Sequence, residues 1–336
     1  MTATDFGTLP DGRPVRRVTL SAHGLTASVI SWGASLQDLR LDGIAHPLVL
    51  GFPELAPYLA EGRYFGAIVG RCANRIAGGR AVLDGKALTL DRNERGRTTL
   101  HGGSDGTGQR NWIIADQGPD FVALSDRLPD GHMGFPGALL VRVTYHLLPG
   151  PALRIAILAS ATEDTFCNFA QHSYFNLDGR PTVADHRLTV PANTYLPVDD
   201  DLIPLGPPAP VQGTHLDFRQ PARLGDRLQG PLIDHNLCLG TRRTMAPRRA
   251  ATLRARSLQM TIDSTEPGLQ VYAGALLRPG APGLSGQVYG PHAGIALESQ
   301  LWPDAPHHPD YPSAVLGMGQ VYRQTTTLGF ARVRGG

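Results

Sequence analysis

The chain has 336 residues, 41% of them hydrophobic, which is enough for a large core. Its 40 glycines and 28 prolines are scattered and exceed the roughly 12% expected on average, so the chain turns often. A formal net charge of only +2, with no long run of either sign, argues against a nucleic-acid or membrane-surface partner, and no apolar stretch approaches the roughly 18 residues that span a bilayer.

The opening stretch, MTATDFGTLPDGRPV, has neither the charged n-region nor the apolar h-region of a secretory signal. Short alternating runs then follow one another: VRRVTLSAHG, LTASVISWGASLQDLRLDG, RAVLDGKALTL, ALLVRVTYHL, ALRIAILASA and LQVYAGALL. Leu-Asp-Gly at 41–43, 83–85 and 177–179 punctuates them, and Asp-Gly between alternating segments signals a hairpin. Helical periodicity is scarce. FPELAPYLAEGRYFG has room for a turn or two before Pro57 and Gly62 limit it. The basic stretch at 242–256 reads as a surface loop and hairpin. No fixed-period repeat, low-complexity tract or linker interrupts the pattern. It predicts an all-β protein, a large antiparallel β-sandwich forming a single domain over residues 1–336. Cys72, Cys167 and Cys238 are far apart and lack CxxC spacing, which suits free thiols in the cytoplasm. Lys86, the only lysine, flanks a hairpin turn and is a poor candidate for Schiff-base chemistry.

Polar residues interrupt several of these runs. Arg71, Asn74 and Arg75 follow an apolar strand in VGRCANRIAGG, and His101 stands in LHGG, where two glycines permit close backbone approach to a ligand. NFAQHSYFNL, Asn168–Leu177, alternates as one strand, with His172, Tyr174 and Asn176 on the wet face. IDHNLCL sets Asp234 and Asn236 against Ile233, Leu237 and Leu239, and GLQVYAG sets Gln270 and Tyr272 against Leu269 and Val271. In GIALESQLW, Glu298 lies among leucine and isoleucine, an expensive place for a carboxylate unless it faces a polar groove. Each residue alone has an ordinary explanation: a turn aspartate, a surface ion pair, a hydrogen-bonded histidine. Together, histidines, carboxylates, amides, arginine and aromatics without a metal or phosphate motif suit a sugar site. Asp304, His307, His308 and Asp310 in DAPHHPD read as a solvated loop rather than a metal site.

In this order, FGAIVGRCANRIAGGRAVLDGKALTL, TTLHGGSDGTGQRNW, QHSYFNLDG, TYLPVDDDLIPLG, IDHNLCL, GLQVYAG and GIALESQLWPDAPHHPDYP resemble the aldose 1-epimerase (galactose mutarotase) family nearly end to end. The resemblance implies a galactose mutarotase-like β-sandwich that interconverts the α and β anomers of free aldoses such as galactose or glucose. It implies no cofactor and no metal. Catalysis would fall to His172 as proton donor, Glu298 as base and His101; Asn74, Arg75, Tyr174, Asp234 and Gln270 would bind the sugar. The partner would be a monosaccharide, with no nucleic acid or membrane, and the protein a monomer or homodimer. Ala170-Gln171 stands where the family usually has Thr-Asn, which is expected to loosen the hydrogen bonding that orients His172.

The chemistry suits these residues independently. Opening a pyranose needs a proton delivered to the ring oxygen and one removed from the anomeric hydroxyl. A histidine of ordinary pKa, roughly 6.5, can deliver it and an ionised glutamate can accept. Rival readings are a glycoside hydrolase using Asp234 and Glu298, a non-catalytic sugar-binding module, and a hexose-6-phosphate epimerase. The last would want clustered cations, and Arg75 has no obvious companion beyond Arg71.

Overall fold

Alternation becomes strand wherever one face can be buried, and here it does so in three large sheets. The structure, a computed structural model, describes residues 3–333. Its largest sheet has nine strands. Ile113–Gln117, Phe121–Leu128, Leu139–Leu148 and Ala152–Ala161 follow in sequence, then Tyr322–Arg332, Leu258–Ser264, Arg248–Arg254, Arg187–Thr189 and Ala222–Arg223. A six-stranded sheet runs Tyr174–Phe175, Ile295–Gln300, Gly268–Tyr272, Asp234–Cys238, Thr194–Tyr195 and Ala209–Pro210. Thr4–Thr8, Pro14–Ala22, Leu25–Ile30 and Ser35–Leu41 form a third, four-stranded sheet. Every ladder within these sheets is antiparallel, as the hairpin-rich sequence requires.

The sheets share one core. Val141, Val143, Tyr145, Ile155, Met260 and Ile262 of the nine-stranded sheet meet Leu237, Leu269, Val271, Ile295 and Leu297 of the six-stranded one. Each such side chain contributes about 1.5–3 kcal/mol on full burial. Because side chains alternate, this inward set fixes the outward one. Gln270, Tyr272, Asp234, Asn236, Glu298 and Gln300 are turned to the opposite face.

Of the three Leu-Asp-Gly turns only one makes a hairpin. Arg80–Leu83 pairs with Lys86–Thr89, and Asp84 and Gly85 both take positive φ (49° and 75°), as a type I′ turn demands. At 177–179 the N–H groups of Asp178 and Gly179 instead donate to Asn176 Oδ1, an Asx turn. The predicted helical stretch holds only a 3-10 turn, Ala56–Leu59. Among the described residues no helix is long and apolar enough to cross a membrane. The basic stretch is only partly surface. Arg248–Arg254 is a strand of the large sheet, and Arg243 turns inward to the fully buried Glu266 (2.9 and 3.0 Å) and over the Tyr322 ring.

Candidate active site

The outward face of the six-stranded sheet forms the floor of a cavity of about 200 Å³. Register places its residues: Gln270 lies opposite both Asn236 and Glu298, and Tyr272 opposite Asp234 and Ala296. Tyr174 adds itself beside Ala296 at the sheet edge. Alternation alone located Glu298, Asp234 and Gln270.

His172 arrives differently. The stretch read as one strand is broken: Ala170–Gln171 pairs with Ile68–Val69, Tyr174–Phe175 pairs with Ile295–Gln300, and His172–Ser173 spans the gap between them. Gln171 ties down this bend. Its Nε2 donates to Gly66 O (3.1 Å) and Ser173 Oγ (2.6 Å), and its Oε1 accepts from Ser173 N–H. His172 is not on a wet face but only 6% exposed. Its Nε2 lies 3.6 Å from Glu298 Oε1, while its Nδ1 and Glu298 Oε2 are buried without a protein partner.

Two loops supply the opposite wall. Arg75–Ile76 pairs with Thr99–Leu100, and the pairing continues through Asn74 and His101, both in the left-handed region (φ 62° and 53°). His101 N–H donates to Asn74 O (3.0 Å), and Asn74 N–H donates to His101 Nδ1 (3.2 Å). Asn74 Oδ1 accepts from Arg75 N–H. The glycine after His101 is required by packing: a Cβ on Gly102 (φ +83°) would clash with the Gly70 carbonyl. Arg75 makes a two-pronged bond to Glu94 (2.8 and 2.8 Å), and Thr98 Oγ1 donates to the same carboxylate.

Burial dominates the electrostatics. It pushes His172 down to about 4, opposed only by its own backbone, and holds His101 well below the usual imidazole range, with His172 and Arg75 adding to the effect. It drives Glu298 well above the usual carboxylate range; Asp234 adds to this and Arg75 opposes it. Asp234 is raised by burial against the pull of Arg75 and of Gln270, whose Nε2 donates to Asp234 Oδ1 (2.7 Å). Glu94 is pushed up by burial too, but Arg75 and Thr98 outweigh that and leave it lowered. The expectation of an ordinary histidine pKa is therefore corrected: desolvation, invisible in the sequence, makes neutral His172 the resting form.

Seven predicted site residues line this one cavity: Asn74, Arg75, His101, His172, Tyr174, Asp234 and Glu298. Gln270 stands beside it, bonded to Asp234. Arg71 does not belong: it is buried and donates to Pro136 O, Gly137 O and Thr165 Oγ1. The companions of Arg75 are instead Arg95 and Arg97, which reach the mouth where Arg97 pairs with Asp201 (2.6 Å). Sequence reasoning missed Tyr64, Glu94 and, at the mouth, Arg95, Arg97 and Asp201. Tyr272, already placed on the face of Gln270, was the one signal available.

His101, His172 and Glu298 bring donor atoms within 4.8 Å of one another, a spacing that suits a metal ion. The tautomer of His101 opposes one. With Nδ1 accepting from Asn74 N–H, neutral His101 carries its proton on Nε2 and is a hydrogen-bond donor rather than a ligand. In the Asp304 loop, Asp304 accepts from Ala77 N–H through Oδ1 and contacts His307 Nδ1 (2.7 Å).

The chain belongs to the aldose 1-epimerase family, whose model matches residues 16–329. Among individual relatives, it is 41% identical to the galactose mutarotase of Rattus norvegicus over 342 residues and 40% identical to that of Homo sapiens, covering 98% of both chains in each case. It is 35% identical to the aldose 1-epimerase of Escherichia coli (strain K12), over 96% of both chains. Its fold is similar to that of an aldose epimerase homologue from C. elegans (TM-score 0.88, 29% identity, 95% of this chain and 99% of the other). It is also similar to galactose 1-epimerase from Lactobacillus acidophilus (TM-score 0.86, 25% identity, 98% of both).

Proposed function

We propose that this chain is an aldose 1-epimerase in which His172 and Glu298 open and reclose the pyranose ring of a free aldose. The observation that carries the reading is the His172–Glu298 pair, 3.6 Å apart, at the floor of a polar cavity of monosaccharide scale. One group removes the anomeric hydroxyl proton while the other protonates the ring oxygen, breaking the C1–O5 bond. The free aldehyde turns about C1–C2, and reversal of both transfers closes the ring on either face. Every step moves protons only, so the protein's own groups suffice. We assign sugar binding to Asn74, Arg75, Tyr174, Asp234 and Gln270, and a donor role to His101 through Nε2–H, able to support charge developing on a sugar oxygen. The whole chain acts as one domain, and its three buried free cysteines suit the cytoplasm.

The balance of charge supports a neutral sugar over a hexose 6-phosphate. Arg75 is engaged by Glu94, and Asp201 takes both Arg97 (2.6 Å) and the largely exposed Arg95 (4.0 Å), in a cavity that Asp200, Asp234 and Glu298 also line. A phosphate dianion would need several free donors.

The pH–rate profile tests the pair. The state with one proton on the dyad is active whether that proton sits on His172 or Glu298, since the two forms differ only by a hop between neighbours. Falling pH adds a second proton to His172 as it passes about 4, leaving no acceptor. Rising pH strips the only proton once the raised Glu298 value is passed. kcat/KM is expected to form a plateau whose acid limb centres near 4 and whose alkaline limb lies above the ordinary carboxylate range. An acid limb near ~6.5, the ordinary imidazole value, would mean that His172 titrates as an exposed histidine and would contradict this account of the pair.

A further inference from the structure

An acid–base imidazole is normally oriented through its second nitrogen, by a hydrogen bond that fixes both ring plane and tautomer. No protein group does this for His172, whose Nδ1 is buried without a protein partner. Rings enclose it instead. Tyr64 lies nearly parallel to it (24°, centroids 6.0 Å apart), Tyr174 is tilted (45°, 5.2 Å) and His101 stands edge-on (78°, 5.3 Å). Tyr64 is itself held, edge-on to His101 at 4.8 Å, with the Arg63 guanidinium 5.5 Å from its ring centre and Ala67, Val69, Ala73 and Ala170 packed behind it.

We propose that Tyr64 is a positioning residue for His172: its ring completes an aromatic socket that fixes the imidazole plane toward Glu298 and keeps water from Nδ1. The inference rests on the reading of His172 as an acid–base group. The titratable groups facing His172 are Glu298 across 3.6 Å, His101, Tyr64 and Tyr174; none bonds to Nδ1. Arg75, which lines the same cavity, is engaged by Glu94. Desolvation therefore sets the protonation of His172, and Tyr64 controls how much water reaches it. A partial opening of the socket would both tilt the ring and ease its protonation.

The test uses Tyr64→Phe and Tyr64→Leu in the full-length enzyme. Phenylalanine keeps the ring, so kcat should stay within about twofold and the acid limb should not move. Leucine keeps apolar volume without the plane. There kcat should fall about tenfold with KM nearly constant, and the acid limb should rise by at least about one pH unit toward the ordinary imidazole value of ~6.5. Should leucine fail to fold, Tyr64→Met fills the space with a flexible, non-planar chain and carries the same expectation. NMR titration of the His172 ring protons reads the shift without turnover, and so decides the role of Tyr64 even if wild type showed no mutarotation, the outcome that would remove the functional reading itself. A raised KM with an unmoved His172 titration would make Tyr64 only a wall of the sugar pocket and overturn the proposal. So would Tyr64→Phe losing as much activity as Tyr64→Leu, which would place the effect in the hydroxyl.

Discussion

Glu298→Gln is expected to lower kcat at least about a hundredfold, the low end of what one positioned acid–base group contributes. Glutamine keeps the length and planarity of the side chain and occupies the same place beside Gln270 on the sheet. It cannot take up the anomeric proton, however, and it ends the exchange with His172 Nε2 across 3.6 Å. The carboxylate's Oε2 has no protein partner although it is buried, so the amide displaces no existing bond and the fold should tolerate it. Sugar binding should survive within a small factor, because Asn74, Arg75 and Asp234 are untouched. Loss confined to kcat is the signature of an interaction made in the transition state. A variant with half the wild-type turnover would remove Glu298 from the reaction.

Arg75→Met should damage activity and stability together. The guanidinium holds Glu94 with two 2.8 Å bonds and is the cation that opposes the upward push on Asp234 and Glu298. Without it Glu94, Asp234 and Glu298 share one cavity and lose the cation that acts on all three, leaving the largely exposed Arg95 to offset Glu94. Breaking a buried pair costs about 3–5 kcal/mol; because Glu94 keeps 23% of its side chain exposed, a loss near the lower figure is expected, visible as a drop of several degrees in Tm. kcat/KM should fall about a hundredfold. The double variant Arg75→Met with Glu94→Met removes the stranded charge, and replacing both members of such a pair with apolar groups is often nearly neutral. Stability should therefore return while activity does not. Recovery of both would show that Arg75 serves only to satisfy Glu94.

How far the sequence reaches depends on where the information lies. The Asp234–Cys238, Gly268–Tyr272 and Ile295–Gln300 strands alternate against a buried face, so a one-residue shift would put Glu298 and Gln270 into the core. Their orientation is legible from alternation along the sequence. The break at His172 is not, because it arises from two different partners, Ile68–Val69 on one side and Ile295–Gln300 on the other. Nor is the Arg75–Glu94 pair, which joins residues 19 apart on either side of the Arg80–Thr89 hairpin. Tyr64 lay in a stretch with weak helical character, and nothing local marks it as facing a histidine more than a hundred positions away. The depressed pKa of His172 is a property of the cavity, where burial outweighs the opposing backbone hydrogen bond. At Ala170-Gln171, the glutamine itself secures the bend through Gly66 and Ser173.

Optical rotation followed in parallel on freshly dissolved α-galactose, glucose 6-phosphate and a methyl galactoside tests the central claim most directly. With Arg75 and Arg97 already paired to carboxylates, the cavity favours neutral hydroxyls, and leaving a phosphate dianion poorly matched would cost several kcal/mol, roughly the penalty of a buried unpaired charge after partial solvation. The methyl glycoside has no anomeric proton for Glu298 to remove, so its ring cannot open by this route. The predicted result is rapid approach to anomeric equilibrium for galactose, much slower change for the 6-phosphate and none for the glycoside. Preference for the phosphate, or release of methanol from the glycoside, would contradict it.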